Sequence, residues 1–98
     1  MIRYRVKPDR AAENERLVKN VYEQLRREKP AGLRYATFKQ SDGVSFVHVV
    51  IDEAADGTST LAKVAAFKEF NASLADRCEE APVRTELTLV GSYFAPEG

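Results

Sequence analysis

The 98 residues of this chain are enough for one domain, which we expect to span residues 1–98. Fifteen basic and fifteen acidic residues give zero formal net charge, which excludes a broad basic surface for nucleic acid or an anionic membrane. A single cysteine and a single histidine are too few for an internal disulfide or a structural zinc site. The composition favours a protein of the reducing cytoplasm, and we find neither a signal peptide nor an apolar run long enough to span a membrane.

The start of the chain alternates between apolar and basic side chains, which predicts a strand with one apolar and one basic face. The apolar members are Ile2, Tyr4 and Val6, and the basic members are Arg3, Arg5 and Lys7. Asp9 follows Pro8 and is expected to cap a helix that runs to about Glu28. The apolar stripe of this helix comprises Leu17, Val18, Val21, Tyr22 and Leu25.

A hairpin is predicted next. Leu33–Lys39 alternates as a strand, and Asp42-Gly43 is a strong turn signal before the following apolar run. That run, Val44–Ile51, is apolar on both faces of a strand, with Val44, Phe46 and Val50 on one face and Val47, Val49 and Ile51 on the other. Such a strand needs a cover on each side.

The second half of the chain predicts one more helix and one more strand. Residues 52–60 are small and acidic and are expected to form a mobile connection. A helix is predicted over about Leu61–Glu80, ended by Ala81-Pro82, and a fourth strand over Thr85–Phe94. The inner face of this helix is expected to carry Val64, Phe67, Phe70, Leu74 and Cys78, the cysteine in a packing role.

The resulting order, βαββαβ, predicts an α+β fold of the ferredoxin-like type, with an antiparallel four-stranded sheet. Right-handed crossovers place both helices on one face of that sheet. The other face would bury several Val, Ile and Phe side chains if a second copy packed against it, so we expect a homodimer. Arg3, Arg5 and Lys7 would then face the interface, paired with Glu86 or with a bound anion.

The layout resembles that of the dimeric α/β-barrel superfamily, and most closely the antibiotic biosynthesis monooxygenase domains. The resemblance lies in the βαββαβ order, the Phe-rich second helix and the final run Leu87-Thr88-Leu89-Val90-Gly91-Ser92-Tyr93. It implies a dimeric barrel with a pocket between sheet and helices in each subunit. Some relatives oxidise phenolic polycycles there with O₂ and no cofactor, and others degrade haem with a histidine on a helix. The only histidine here is predicted in a strand, which argues against haem.

Asn71 and His48 are the candidate catalytic residues. Asn71 falls within the inward stripe of the second helix, where a buried amide must be satisfied. It either bonds a strand carbonyl or Tyr35, or it orients a substrate carbonyl or phenolate. His48 is either a satisfied core or interface histidine, or a general base toward a phenol, since its ordinary pKa suits neutral pH.

A planar organic ligand would be bound by aromatic side chains, which are equally ordinary in a core. The candidates are Tyr35, Tyr22, Tyr4, Phe67 and Phe70. The acidic residues Asp52, Glu53 and Asp56 lack the spacing of a calcium loop. We therefore predict no metal and no cofactor.

The same strand order occurs in RNA-recognition domains, but the third-strand signature is largely missing. Gly43, Phe46 and Val47 match it, whereas Asp42 replaces a basic residue and valines replace two stacking aromatics. We predict no nucleic-acid partner. The resemblance, together with Asn71 on the inner stripe, implies a cofactor-independent monooxygenase acting on a small phenolic substrate. The alternative is a non-catalytic homodimer that binds a small hydrophobic ligand or serves as a scaffold.

Overall fold

The computed structural model describes residues 1–52, 60–91 and 93. The strands are β1 (Ile2–Val6), β2 (Leu33–Lys39), β3 (Ser45–Asp52) and β4 (Cys78–Arg84). The helices are α1 (Ala11–Glu28), α2 (Ala65–Ala72) and the one-turn α3 (Leu74–Arg77), with 3₁₀ turns at Pro8–Arg10 and Leu61–Lys63. The predicted connection over residues 52–60 lies almost wholly outside the described residues, as does the tail beyond residue 93.

The four strands form one antiparallel sheet in the order β2-β3-β1-β4. Helices pack on one face of it, and the arrangement is compatible with a ferredoxin-like fold. The predicted α+β class and antiparallel four-stranded sheet are therefore confirmed. Within the described ranges, no helix is both long and apolar enough to cross a membrane.

The core lies between the sheet and the helices. From the sheet it takes Tyr4, Val6 and Phe46, each no more than 2% exposed. From the helical layer it takes Leu17, Val18, Val21, Leu61, Val64, Phe70 and Leu74. Val47, Val49 and Ile51, on the opposite face of β3, are not part of this core and remain partly exposed. The third strand is thus buried on one face only, within a single copy of the chain.

Helix α1 begins and ends through different local interactions. Asp9 does not cap the helix as predicted: it lies inside the 3₁₀ turn, and Arg10 occupies the cap position without a side-chain hydrogen bond. Pro8 at the start of that turn favours the tight 3₁₀ geometry because its backbone angle is already set. At the other end Lys29 adopts a left-handed conformation, and its amide bonds the Leu25 carbonyl, which closes the helix where the sequence predicted.

The hairpin between β2 and β3 is held by one carboxylate. Asp42 accepts hydrogen bonds from the Val44 and Ser45 amides at 2.9 and 2.8 Å, and from the Ser45 hydroxyl at 2.6 Å. These donors lower the pKa of Asp42, the Ser45 hydroxyl most of all. Gly43 has φ +79°, which places the following strand in register. The predicted Asp-Gly turn is confirmed.

The predicted second helix, Leu61–Glu80, is wrong in its second half. The chain leaves the helix at Val64 and again at Ser73, and Cys78 already belongs to β4. Good helix formers at 79–81 suggested a continuing helix. Strand pairing with β1 outweighs this helix propensity, and Arg5 and Glu80 form an ion pair at 2.7 Å there. Pro82 is tolerated inside β4 because this strand lies at the sheet edge.

The predicted last strand, Thr85–Phe94, is wrong as well: residues 85–91 form no strand, and β4 precedes them. Thr85 still exchanges two backbone hydrogen bonds with Met1, both at 2.8 Å. Beyond it Leu87 and Leu89 are about 60% exposed, at 57% and 61%. Within its own chain, Arg5 pairs with Glu80 and Glu79 rather than with Glu86.

Replacing Gly43 with alanine is expected to lower the free energy of unfolding by about 1 kcal/mol, because a Cβ strains a left-handed backbone. No heavy atom lies within 4 Å of the position the Cβ would take, so only the backbone contributes. Urea unfolding of Gly43→Ala and of Gly43→Asn makes the comparison, since asparagine tolerates this conformation better. Equal stability of the two variants would contradict the explanation.

Candidate functional site

A cavity of about 300 Å³ lies between the sheet and the short helices α2 and α3. Apolar side chains form most of its wall, and its polar groups come from both layers. The lining residues are Ile2, Tyr4, Tyr35, His48, Val50, Phe67, Phe70, Asn71, Leu74, Ala75, Pro82 and Arg84. Six of the seven residues predicted to carry chemistry or binding therefore meet at one cavity.

His48 forms the polar floor of the cavity. It is 2% exposed and lies on the inner face of β3, where β1 and β2 flank it. Its Nε2 lies 2.8 Å from the Tyr4 hydroxyl, and its Nδ1 lies 2.5 Å from the Tyr35 hydroxyl and 3.3 Å from that of Thr37. Both ring nitrogens are thus satisfied by neighbours of the same sheet face.

A buried arginine stands at the other end of this hydrogen-bonded chain. Arg77, fully buried, donates from Nε to Asn14 Oδ1 at 3.0 Å, and its other nitrogens bond the Ser73 hydroxyl and the Phe70 carbonyl. In the part of the chain described, no carboxylate lies within ion-pair distance of it. Desolvation lowers its pKa. The guanidinium also lies 5.0 Å from the centre of the Phe70 ring, a favourable cation–π distance.

The direction of each hydrogen bond follows from Arg77, which can only donate. Asn14 must present its oxygen to Arg77, so its Nδ2 donates to the Tyr4 hydroxyl oxygen at 2.9 Å. The Tyr4 proton then has one acceptor among the described residues, Nε2 of His48. His48 therefore carries its own proton on Nδ1 and donates to the Tyr35 oxygen. The Tyr35 proton remains available for Thr37 or for a molecule in the cavity.

Burial sets the ionisation of these groups. Desolvation lowers the pKa of His48 from 6.5 to about 4, so the imidazole is neutral at pH 7. Desolvation raises the pKa of Tyr4 and of Tyr35 well above the usual value near 10. The Asn14 hydrogen bond and the charge of Arg77 oppose this rise at Tyr4. Arg77 is thus the only charged member of the hydrogen-bonded series that runs from Arg77 through Asn14, Tyr4 and His48 to Tyr35.

Tyr22 is the predicted binding residue that does not line this cavity. Its ring stacks on Tyr35 with centroids 5.0 Å apart and an interplanar angle of 11°. Its hydroxyl bonds that of Thr37 at 2.8 Å. Phe67 meets the Tyr35 ring edge-on, and Phe70 lies 5.4 Å from the His48 ring. Tyr22 therefore supports the cavity wall from behind.

Asn71 lies at the mouth of the cavity rather than in the core. The expectation of a buried amide is wrong, because Asn71 is exposed. Tyr35, its predicted partner, bonds His48 instead. The early end of the helix explains the difference, since α2 stops at Ala72 and Asn71 therefore lies in its last turn rather than in the middle of a longer helix. Phe70, one residue earlier, occupies the buried position.

Two residues of the site, Asn14 and Arg77, were missed by the sequence reasoning. Asn14 precedes Leu17 and Val18 by three and four residues, and therefore lies on the apolar stripe of α1. Arg77 follows Leu74 at the same spacing. Polar residues in phase with an apolar stripe were the available signal, and a polar side chain on such a stripe needs a buried partner.

Comparisons with protein-family models, with curated proteins and with solved structures find no match to this chain. What the fold and site define is an α+β protein with an aromatic-walled cavity and a neutral imidazole at its floor. In the described ranges, no group of three or more His, Cys, Asp or Glu side chains could hold a metal ion. Cys78 is partly buried at the start of β4, and burial raises its pKa.

Stability is expected to fall as pH decreases from about 6.5 to about 4, because His48 must stay neutral when folded but takes up a proton once unfolded. The native state binds fewer protons in this window, so acid favours unfolding. The full loss from this residue is about 3 kcal/mol. Urea titrations at pH 7, 6, 5, 4.5 and 3.5 measure it, and His48→Gln provides the control without the imidazole.

In His48→Gln the slope between pH 6.5 and 4.5 is expected to disappear. The loss below pH 4.5 should persist, since Glu13, Glu15 and Asp42 have lowered pKa values that make their protonation unfavourable to the fold. An unchanged slope in the variant would rule out the buried neutral imidazole as its source.

Proposed function

We propose that this chain binds a small phenolic aromatic molecule in the cavity and oxidises it with O₂, without a cofactor, in the manner of the antibiotic biosynthesis monooxygenase domains that its layout resembles. The observation that carries the proposal is the meeting of Tyr35 and His48 at the polar end of an otherwise largely apolar cavity. Phe67, Phe70 and Tyr35 provide flat surfaces on which an aromatic ring stacks.

The phenol oxygen would lie at the polar end, within reach of the Tyr35 hydroxyl. This hydroxyl can donate while His48 Nδ1–H bonds its oxygen. The Asn71 amide, exposed at the mouth, can donate to an acceptor on the opposite side of the ring. Donors to a phenolate favour its ionised form, and they act more strongly in a cavity that excludes water.

The chemistry needs only substrate and O₂ when the carbon para to the hydroxyl carries hydrogen. The phenolate transfers one electron to O₂, and the radical pair recombines to form a carbon–oxygen bond at the para carbon. The hydroperoxide then loses water. One oxygen atom becomes the new carbonyl of a quinone, and the other leaves as water with the two hydrogens removed from the substrate. No external reductant enters this balance.

His48 has a positioning role in this proposal rather than the role of a bulk base. With a pKa of about 4 it holds a proton too weakly to remove one from an ordinary phenol at neutral pH. It fixes the Tyr35 hydroxyl instead, and its own tautomer is fixed in turn by Tyr4 and Asn14. The substrates that fit best are phenols already acidified by conjugation.

The second candidate is a protein that binds the same kind of molecule without turning it over. It is favoured by the low pKa of His48 and by the absence of any carboxylate among the described residues that line the cavity. A binding protein needs the aromatic walls and the Tyr35 hydroxyl but no activated O₂. The two candidates differ in one readout, which is oxygen consumption.

With 1-naphthol as the probe, the monooxygenase proposal predicts O₂ uptake and stoichiometric 1,4-naphthoquinone. Tyr35→Phe and Asn71→Ala are each expected to lower turnover about 100-fold, because Tyr35 donates to the phenolate oxygen and Asn71 to the acceptor on the opposite side of the ring. Tyr22→Phe is the matched control: it loses a hydroxyl behind the wall and should change turnover by about twofold or less. An oxygen electrode and quinone absorbance give the rates.

Tight binding of 1-naphthol by calorimetry without O₂ uptake would overturn the oxygenase and favour the second candidate. Equal losses in Tyr35→Phe and Tyr22→Phe would remove Tyr35 from the binding site and leave it a packing residue. Isotope-labelled O₂ must also supply the new quinone oxygen, since an oxygen derived from water would contradict the proposed step.

We also propose that two copies pack through the exposed face of the sheet. A row on that face crosses all four strands through paired positions, Phe38, Val47, Arg3 and Val83. Phe38 and Val83, at the two ends of this row, are 57% and 61% exposed, a large fraction for apolar side chains. Because the chain has zero net charge, two copies do not repel each other through their overall charge. A two-fold axis would place each row on that of its partner.

In solution the wild-type chain is expected to have a mass of about 22 kDa, twice its 11.0 kDa. Phe38→Arg should convert it to a monomer, because an arginine there would bury a charge without a partner. Ala12→Arg, an equally charged change at an exposed site on α1, is the control and should remain a dimer. Light scattering behind a sizing column measures all three, and a wild-type monomer would refute the interface.

A further inference from the structure

Arg84 lies on the same sheet face as His48, two strands away in one register row. Thr37 of β2 pairs with His48 of β3, His48 with Ile2 of β1, and Ile2 with Arg84 of β4. Two interstrand spacings separate the His48 and Arg84 backbones by about 10 Å. The polar floor of the cavity and Arg84 therefore stand at opposite ends of one row.

Arg84 is the only charged residue among those described as lining the cavity. No described carboxylate lies within 4.0 Å of its guanidinium, whereas Arg5 and Arg10 have such partners. It also borders two further depressions, one of which it shares with Glu86. Arg84 thus lies where three concave surfaces meet, and none of the described carboxylates pairs with its guanidinium.

An arginine without a partner beside an apolar cavity selects for an anion on the ligand. Its planar fork matches a carboxylate with two parallel hydrogen bonds, and an ammonium group would not provide this geometry. The side of the cavity away from Arg84, where Tyr35 bonds His48, suits a phenol oxygen. An aromatic ring bearing a hydroxyl at one end and a carboxylate at the other complements both ends at once.

We propose that the ligand is a hydroxyaryl carboxylic acid whose carboxylate binds Arg84. This inference rests on the phenol-binding cavity proposed above and adds the class of acid that it selects. The carboxylate lies at the mouth and the ring lies between Phe67, Phe70 and Val50. The carbon para to the hydroxyl must keep its hydrogen, so the carboxylate occupies another position, for instance on a second fused ring.

The probes are 1-naphthol and 5-hydroxy-1-naphthoate, which share the ring system and the open para carbon and differ in the carboxylate. Calorimetry at low salt is expected to show about tenfold tighter binding of the naphthoate by the wild-type chain. Arg84→Met should abolish this preference while binding 1-naphthol within about twofold of wild type. Arg84→Lys should restore part of the preference, since it keeps charge without the fork.

Two control variants distinguish recognition of the carboxylate by Arg84 from a general effect of the protein's charge on the binding of an anion. Arg16→Met removes an equal charge from an exposed position on α1 and should leave the preference intact. Glu86→Gln removes an acidic side chain that lines one of the same depressions and should strengthen the preference. Raising the salt to 0.5 M should weaken naphthoate binding and leave 1-naphthol binding unchanged. Thermal melts of the variants check that each is folded, and Arg84 is exposed at a strand end, so little change is expected.

The outcomes distinguish the two proposals. If 1-naphthol binds and the naphthoate binds no tighter, the acid class is wrong and the phenol-binding cavity stands. If the preference persists in Arg84→Met, another group recognises the carboxylate and the assignment of Arg84 is overturned. If neither probe binds the wild-type chain, the cavity itself is not the binding site and both proposals fail.

Discussion

The burial of one guanidinium organises this small protein. Arg77 reaches from α3 into the interior and bonds Asn14 of α1, Ser73 and the Phe70 carbonyl, so three helical segments share one donor set. A buried cation without a carboxylate is unfavourable unless its nitrogens find acceptors, and each of the three Arg77 nitrogens has one here. The positions of the groups around Arg77 are therefore tightly fixed. Asn14 is one of these groups, and its hydrogen bond to the Tyr4 hydroxyl in turn fixes the orientation of Tyr4 in the sheet. Helix packing and the hydrogen-bonding state of His48 thus have a common origin.

Sequence reasoning succeeded where local chemistry decides the structure. The alternation at β1, the Asp-Gly turn and the stripe of α1 each follow from short-range pattern, and the sheet topology follows from the element order. It failed between residues 73 and 91, where a helical pattern competes with pairing to β1. Glu79 and Glu80 are good helix formers in isolation, but β1 has an edge to fill and a basic residue, Arg5, opposite them. Pairing between residues this far apart in the chain cannot be recognised from a short stretch of the sequence.

The candidate site was predictable in its members more than in its arrangement. His48, Tyr35, Tyr4, Phe67 and Phe70 were expected near a ligand because they are the aromatic and titratable groups on inward-facing positions, and they do line one cavity. Their network was not predictable, since it depends on Asn14 and Arg77, which are 63 residues apart in the chain. The exposure of Asn71 depends in turn on where α2 ends. A residue's face can be read from spacing, but its depth depends on the length of the element that carries it.

The position of Pro82 has a consequence for how the sheet can grow. An edge strand normally offers a continuous row of amides to any extended chain that approaches, and this is how β-rich proteins aggregate. Proline has no amide hydrogen, so the row along β4 is interrupted near its centre, while the register shifts between β1 and β4 distort it further. The β4 edge is thereby protected against runaway strand addition by the same residue that ends ordinary helices, and β2 is left as the edge at which another chain could add a strand.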